Sequence, residues 1–310
     1  MRKEALLFFL VFFPSGCGPD APPVFSGQKA YQILSDYCAL GPRVPGTKAH
    51  RQAAGFIFAR LEKLPFQVTH QAFMYYDSLK RDSLRLVNLI AAFHPERKRR
   101  ILYCTHWDSR PYADQEADTI LHRQPILGAN DGGSGTAVLL AAAELLSKED
   151  PGIGVDLVFF DGEDYGKEGD LDHYLLGSRH YAKSMGAAHP RAMILLDMVG
   201  DRDLSIPMEG YSVQEASWLA ELVFQVADSL HVTAFASRQG PRIFDDHVPF
   251  LQAGIPALDL IDFDYPAWHT VEDLPDKCSP ESLESVAKVL LHSLARLGLT
   301  PQGAERPGGS

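Results

Sequence analysis

An α/β sandwich with one mostly parallel central sheet and helices on both faces is the fold this sequence predicts. Three observations predict it. Short apolar runs alternate with helical stretches of about ten or more residues, the order that builds a parallel sheet through crossover connections. Runs such as Val155-Asp156-Leu157-Val158-Phe159-Phe160 are nearly continuous in apolar character, as strands buried on both faces are. No interior stretch of the 310 residues has the composition of a linker, so one domain is expected. A dinucleotide fold has no support, because no GxGxxG opens a helix after a strand.

Taken in order, residues 28–40 place Ala30, Ile33, Leu34 and Tyr37 at helical spacing, and Gly41-Pro-Arg-Val-Pro-Gly46 ends that helix. Residues 48–64 form a second amphipathic helix, and 66–76 and 83–93 read as strands. Residues 101–105 are a short buried strand, followed by a long polar loop at 109–127; loops of that length in a compact domain are usually functional or disordered. Helices are expected at 136–146, 177–186, 215–230 and 280–297, and strands at 155–161, 191–197 and 255–261.

The ends of the chain read differently. Arg2 and Lys3 precede the nine apolar residues 5–13 and then Pro14-Ser15-Gly16-Cys17, a targeting pattern too short to span a bilayer as a mature helix. The expectation is a signal peptide at 1–17, with the Ser-Gly-Cys end resembling a lipoprotein cleavage site. A tether at 18–26, a catalytic domain at 27–299 and a disordered tail at 300–310 complete the division. That implies an exported, periplasmic or membrane-anchored bacterial protein, touching membrane only through a lipid on Cys17. Net charge is −11, which argues against a nucleic-acid surface. Cys38, Cys104 and Cys278 are isolated, without framework or zinc-type spacing, and are expected as free buried thiols.

What points to chemistry is the residue that ends each strand. His106 and Asp108 follow the strand at 101–105, Glu163 and Asp164 follow Phe160, Asp197 follows Leu196, and His269 follows the strand at 255–261. Asp131 sits among Gly128, Gly132, Gly133 and Gly135. Any one of these could be a helix cap or a solvated turn. Together they lie at the carboxyl edge of one sheet, where α/β folds place ligands. Imidazoles plus carboxylates without thiolate suit a catalytic zinc site with an open position.

The segments His106-Trp-Asp108, Gly128-Ala-Asn-Asp131, Phe160-Asp-Gly-Glu163-Asp164, Leu195-Leu-Asp197 and Trp268-His269-Thr270 resemble the motifs of the zinc aminopeptidase superfamily with co-catalytic metals. Gly41-Pro-Arg-Val-Pro-Gly46 and Asp246-His247-Val-Pro-Phe250 match it too, and the order holds from about 28 to 298. Within that superfamily the likeness is to glutaminyl cyclases of the animal and bacterial-periplasmic kind, which convert an N-terminal glutamine to pyroglutamate and release ammonia. Asp245, Trp268 and the segment His106-Trp-Asp-Ser-Arg-Pro-Tyr-Ala-Asp114 carry that choice.

The resemblance implies a single α/β/α domain of zinc aminopeptidase type, binding a peptide or protein with N-terminal glutamine. It implies that Asp131, Asp164 and His269 hold one Zn²⁺, that Glu163 transfers protons, and that Asp197 and Asp245 brace the reacting nitrogens. Asp245 serving only as a partner of His247 is the equal alternative. Trp268 would wall the substrate pocket; a core tryptophan is the plainer alternative. His106, with Asp131 and Asp197, could complete a second metal site, so a second zinc is not excluded. A two-metal aminopeptidase is the competing function, and a non-catalytic peptide-binding lipoprotein the third. Asp164 stands where animal cyclases have Glu, and Cys104 has no partner for the disulfide of the animal enzymes.

Overall fold

The computed structural model describes residues 24–299 apart from 168 and 187–188. The expected signal peptide, most of the tether and the tail lie outside the described residues. Phe25 and Ser26, expected in the tether, belong to the fold: Phe25 is buried in the core, and the Ser26 hydroxyl caps the first helix by accepting from Lys29 N.

In chain order the elements are α1 (Gly27–Cys38), α2 (Lys48–Leu61), β1 (Gln67–Asp77), β2 (Asp82–Phe93), β3 (Arg100–His106), α3 (Gly133–Leu146) and β4 (Gly154–Phe160). Then come α4 (Leu176–Ser184), β5 (Ala192–Asp197), β6 (Ile206–Met208), α5 (Gly210–Ser229), β7 (Phe235–Gln239), α6 (Val248–Gln252), β8 (Ala257–Ile261) and α7 (Pro280–Leu299). The six-stranded sheet runs β1-β2-β4-β3-β5-β8. Strands β4, β3, β5 and β8 are parallel, while β1 and β2 form an antiparallel edge. The fold is therefore the mostly parallel α/β sandwich expected.

Alternation along the central strands divides two cores. Ile101 and Tyr103 of β3, with Val155, Leu157 and Phe159 of β4, face the large core beneath α1, α3, α5 and α7. Leu102, Cys104, Val158 and Phe160 face a smaller core closed by α4 and α6 through Tyr181 and Phe250. This double burial is why the strands read as continuous apolar runs.

Three elements escaped the sequence reading. Strands β6 and β7 pair in a separate two-stranded sheet; β6 is three residues long and contains Pro207, and β7 is largely exposed. Helix α6 has only five residues, too few to show a period. Helix α5 begins at Gly210, ahead of the expected 215, because non-helical backbone at Ala216 breaks its pattern. Cys38, Cys104 and Cys278 are free and buried, as expected. None of the described helices is long and apolar enough to cross a membrane.

Candidate metal and proton-transfer site

Strands β3, β4, β5 and β8 run parallel, so their carboxyl ends open on one edge. His106 ends β3, Asp197 ends β5, and the Asp161-Gly162-Glu163-Asp164 turn follows β4. The turn is held by Asp108, whose carboxylate accepts from Glu163 N at 3.2 Å and Asp164 N at 3.3 Å. Asp131 precedes α3 and is fixed through its backbone. Asp273 accepts from Asn130 N and Asp131 N at 2.8 and 3.1 Å, and Tyr265 Oη donates to Asp273 at 2.8 Å. Gly132 has φ +74°, and a Cβ there would lie 2.7 Å from the His106 ring. A side chain would push His106 out of place.

Arg43 supports the same corner from below. It is fully buried and donates to the carbonyls of Trp107, Leu127 and Gly128 at 3.0, 2.6 and 2.8 Å. The Gly-Pro-Arg-Val-Pro-Gly turn thus supplies the donors for carbonyls that no strand satisfies.

Two ligand sets meet at Asp131. Asp131, Asp164 and His269 offer atoms within 4.8 Å of one another, and so do His106, Asp131 and Asp197. The sets differ in how well they satisfy themselves. His106 Nε2 lies 3.1 Å from Asp131 Oδ1 and 3.2 Å from Asp197 Oδ1, both hydrogen-bond distances. His269 Nε2 stands 3.6 Å from both Asp131 Oδ2 and Asp164 Oδ1, beyond a good hydrogen bond, and the buried Asp164 Oδ2 has no partner. Two carboxylates and an imidazole spaced in this way fit a zinc ion. In the other set His106 Nε2 is hydrogen-bonded to Asp197, while His106 Nδ1 is buried without a partner.

Electrostatics agree with a cation-binding role for this site. Burial, reinforced by Asp131, pushes Asp164 up to about 7, and the neighbouring Arg110 and His269 only partly oppose it. Burial, Asp164 and Asp245 push Glu163 well above the usual carboxylate range, with His106 pulling the other way. Burial and Asp197 do the same to Asp245. A bound divalent cation relieves such crowding.

A cavity of about 630 Å³ opens over these groups. Glu163, Asp197 and Asp245 all line it, as do Asp131, Asp164 and His269. Trp268 also lines it, stacked on His269 with ring centroids 3.9 Å apart and an interplanar angle of 28°. The structure therefore brings together every site residue the sequence singled out; His106 contacts Asp131 and Asp197 but is not among the residues lining the cavity. His269 is held at φ +54°, a conformation that costs energy and persists when surroundings impose it.

Sequence reasoning gave no role to Arg110, Asp114, Asp273, Arg43 or Glu209. Glu209 is the buried cap of α5. It accepts from Tyr211 N and Ile243 N at 2.8 and 2.9 Å and from Ser212 N at 2.7 Å, and lies 3.2 Å from His247 Nε2. Burial works against its charge, but His247 and the backbone amides hold it down to about 2. A carboxyl held below its unfolded value stabilises the fold above that value and loses the contribution as pH falls through the folded one. Glu209 thus stabilises the fold at neutral pH, and that contribution is lost as pH falls from about 4.5 to about 2. Glu209→Gln lowers urea stability at pH 7 and flattens its decline in that window; an unchanged decline would show that Glu209 is uncoupled from folding.

Residues 88–294 match the profile of peptidase family M28. The chain belongs to peptidase family M28. Among relatives, it is 28% identical over 240 residues to the glutaminyl-peptide cyclotransferase of Boiga irregularis, covering 66% of this chain and 63% of that one. The chain thus spans less than two thirds of that relative's length. Among solved structures, the glutaminyl cyclase of Tannerella forsythia is 38% identical, with TM-score 0.84 over 88% of this chain and 99% of that one. A Zn-dependent exopeptidase from Parabacteroides distasonis is 33% identical, with TM-score 0.85 over 89% and 99%. Membership in M28 agrees with the zinc aminopeptidase-type fold expected from the motifs.

Proposed function

We propose that this M28 chain is a zinc-dependent glutaminyl-peptide cyclotransferase, closing an N-terminal glutamine to pyroglutamate and releasing ammonia. The observation that carries the reading is the convergence of Glu163, Asp197 and Asp245 on a cavity that the ligand set Asp131, Asp164 and His269 also lines, with Asp164 Oδ2 buried and unpartnered. Likeness to cyclases of known structure supports it.

Asp131, Asp164 and His269 hold the zinc, which when bound supplies Lewis acidity at the substrate's γ-carbonyl. The carboxylates of Asp197 and Asp245 bind the substrate's α-ammonium and later the leaving nitrogen. Glu163 takes a proton from the ammonium, freeing the amine to attack the γ-carbon, and a C–N bond forms. Glu163 then delivers protons to the γ-amide nitrogen as its C–N bond breaks. The ammonium loses one proton before the attack and a second after it, and the leaving NH₂ gains both and departs as ammonium, the protonated form of ammonia, so Glu163 ends as it began. A carboxyl raised by its surroundings is suited to both halves of this transfer. The Trp268 indole covers the planar amide and excludes water, which ring closure does not need.

Release of ammonia from a Gln-initiated peptide by residues 24–310 tests the proposal directly. A peptidase reading retains one specific support, the His106, Asp131 and Asp197 set. The cyclase reading expects one zinc per chain; two per chain would favour the peptidase.

The cavity rim suggests the rest of the substrate. Leu171 is 55% exposed and Phe244 37% exposed, yet both line the mouth beside Phe263. An apolar residue after the glutamine would cover them. Phe244→Ser is expected to raise KM for a Gln-Phe peptide about tenfold, ~1.4 kcal/mol, and to leave a Gln-Gly peptide unaffected. Equal effects on both would rule out this contact. We also propose export directed by residues 1–17, with Cys17 as the attachment point of a lipid.

A further inference from the structure

The segment between His106 and Asp114 contains a charged pair that the chemistry above does not use. Arg110 is fully buried beside the cavity. Its Nε and Nη2 donate to the two oxygens of Asp114 at 2.9 and 2.5 Å, and its Nη1 donates to Asp164 Oδ1 at 2.6 Å. Asp114 Oδ1 in turn lies 3.4 Å from His269 Nδ1. The next residues are sewn to the same loop: Gln115 N donates to His269 O at 3.2 Å, and Glu116 Oε1 accepts from Val271 N at 2.9 Å. Burial disfavours the guanidinium's charge, but Asp164 and Asp114 keep it charged.

We infer that Arg110 and Asp114 are positioning residues that fix which atoms Asp164 and His269 present to the zinc. This rests on the zinc reading of the site above. Arg110 holds Oδ1, the oxygen that lies 3.6 Å from His269 Nε2, so the Asp164 carboxylate is fixed with that oxygen toward His269 and with Oδ2 buried and unpartnered. With Asp114 facing Nδ1, the His269 tautomer carries its proton there and leaves Nε2 free. The guanidinium fork reaches one carboxylate bidentately and the other singly, which a lysine cannot do. The left-handed backbone at His269 is held against this clamp.

The experiment is competition for Zn²⁺ between a chromophoric chelator and the full domain, with melting of the zinc-stripped chain and the visible spectrum of the Co²⁺-loaded chain as further readouts. Asp114→Asn, which is isosteric, and Arg110→Lys, which keeps the charge, are each expected to weaken zinc binding by about 10–100-fold. The stripped chains should melt with the wild type, and the cobalt spectra should change as Asp164 and His269 reorient. Variants that bind zinc as tightly as wild type with the same cobalt spectrum overturn the clamp. A wild-type chain that binds no zinc overturns the underlying site instead. Should Arg110→Lys melt early, Asp114→Asn decides alone.

Discussion

Replacing Glu163 with Gln lowers turnover on an N-terminal glutamine peptide by about 10²–10⁴-fold, the usual worth of a positioned proton-transfer group. The effect falls on kcat, because the amide keeps the size and hydrogen-bonding reach of the carboxyl but cannot accept the ammonium proton. Zinc affinity stays within a few fold, since Glu163 belongs to neither ligand set. The backbone stays in place, because Asp108 holds Glu163 N and Asp164 N through main-chain donors that the substitution leaves intact. Glu163→Gln with near-normal kcat would remove Glu163 from the proton path and leave Asp197 and Asp245 to be tested in its place.

The second large effect is on the metal. Asp131→Ala removes the residue shared by both ligand sets, and zinc binding is expected to fall roughly a thousandfold, ~4 kcal/mol. Zinc at a hundred times its dissociation constant adds about 2.7 kcal/mol to the wild-type fold, so thermal melts with and without zinc read the loss without an activity assay. The variant should melt at one temperature in both conditions. The variant should fold as the wild type does, because the Asp131 backbone is held by Asp273 independently of the side chain. A zinc-dependent shift as large as wild type would show that the ion sits elsewhere.

Much of this site is visible in the sequence for a definite reason. The buried parallel strands read as apolar runs, so the abrupt polar residue after each one marks the carboxyl edge of the sheet. Glu163, Asp164 and Asp197 are legible by that logic alone. Asp131 is flagged by the glycines around it, and the φ of Gly132 explains why they are there. His269 follows the strand at 255–261 by the same logic, while Asp245 and Trp268 owe their place to the family resemblance, since no periodicity singles them out.

What the sequence hid is the support beneath the ligands. Arg43 lies in a Gly/Pro turn, where a charged residue normally faces water, and is buried only because carbonyls from residues 107, 127 and 128 converge on it. Arg110 and Asp114 fall in a loop without periodicity, and Asp164, which Arg110 reaches, is 54 residues away. Glu209 is not a preferred helix cap, and its partners at 243 and 247 are brought by the fold. The strands β6 and β7 were too short or too exposed to carry a pattern. Local patterns report burial; partners distant in sequence are set by the packing.

The central claim is tested most directly by incubating residues 24–310 with two peptides, one beginning Gln-Phe and one beginning Leu-Phe, and following both by mass spectrometry. The account predicts that the Gln peptide alone loses the mass of one ammonia, that Glu163→Gln abolishes the loss, and that the Leu peptide remains whole. Release of free leucine, with the Gln peptide not cyclised, would contradict it and make this M28 chain an aminopeptidase.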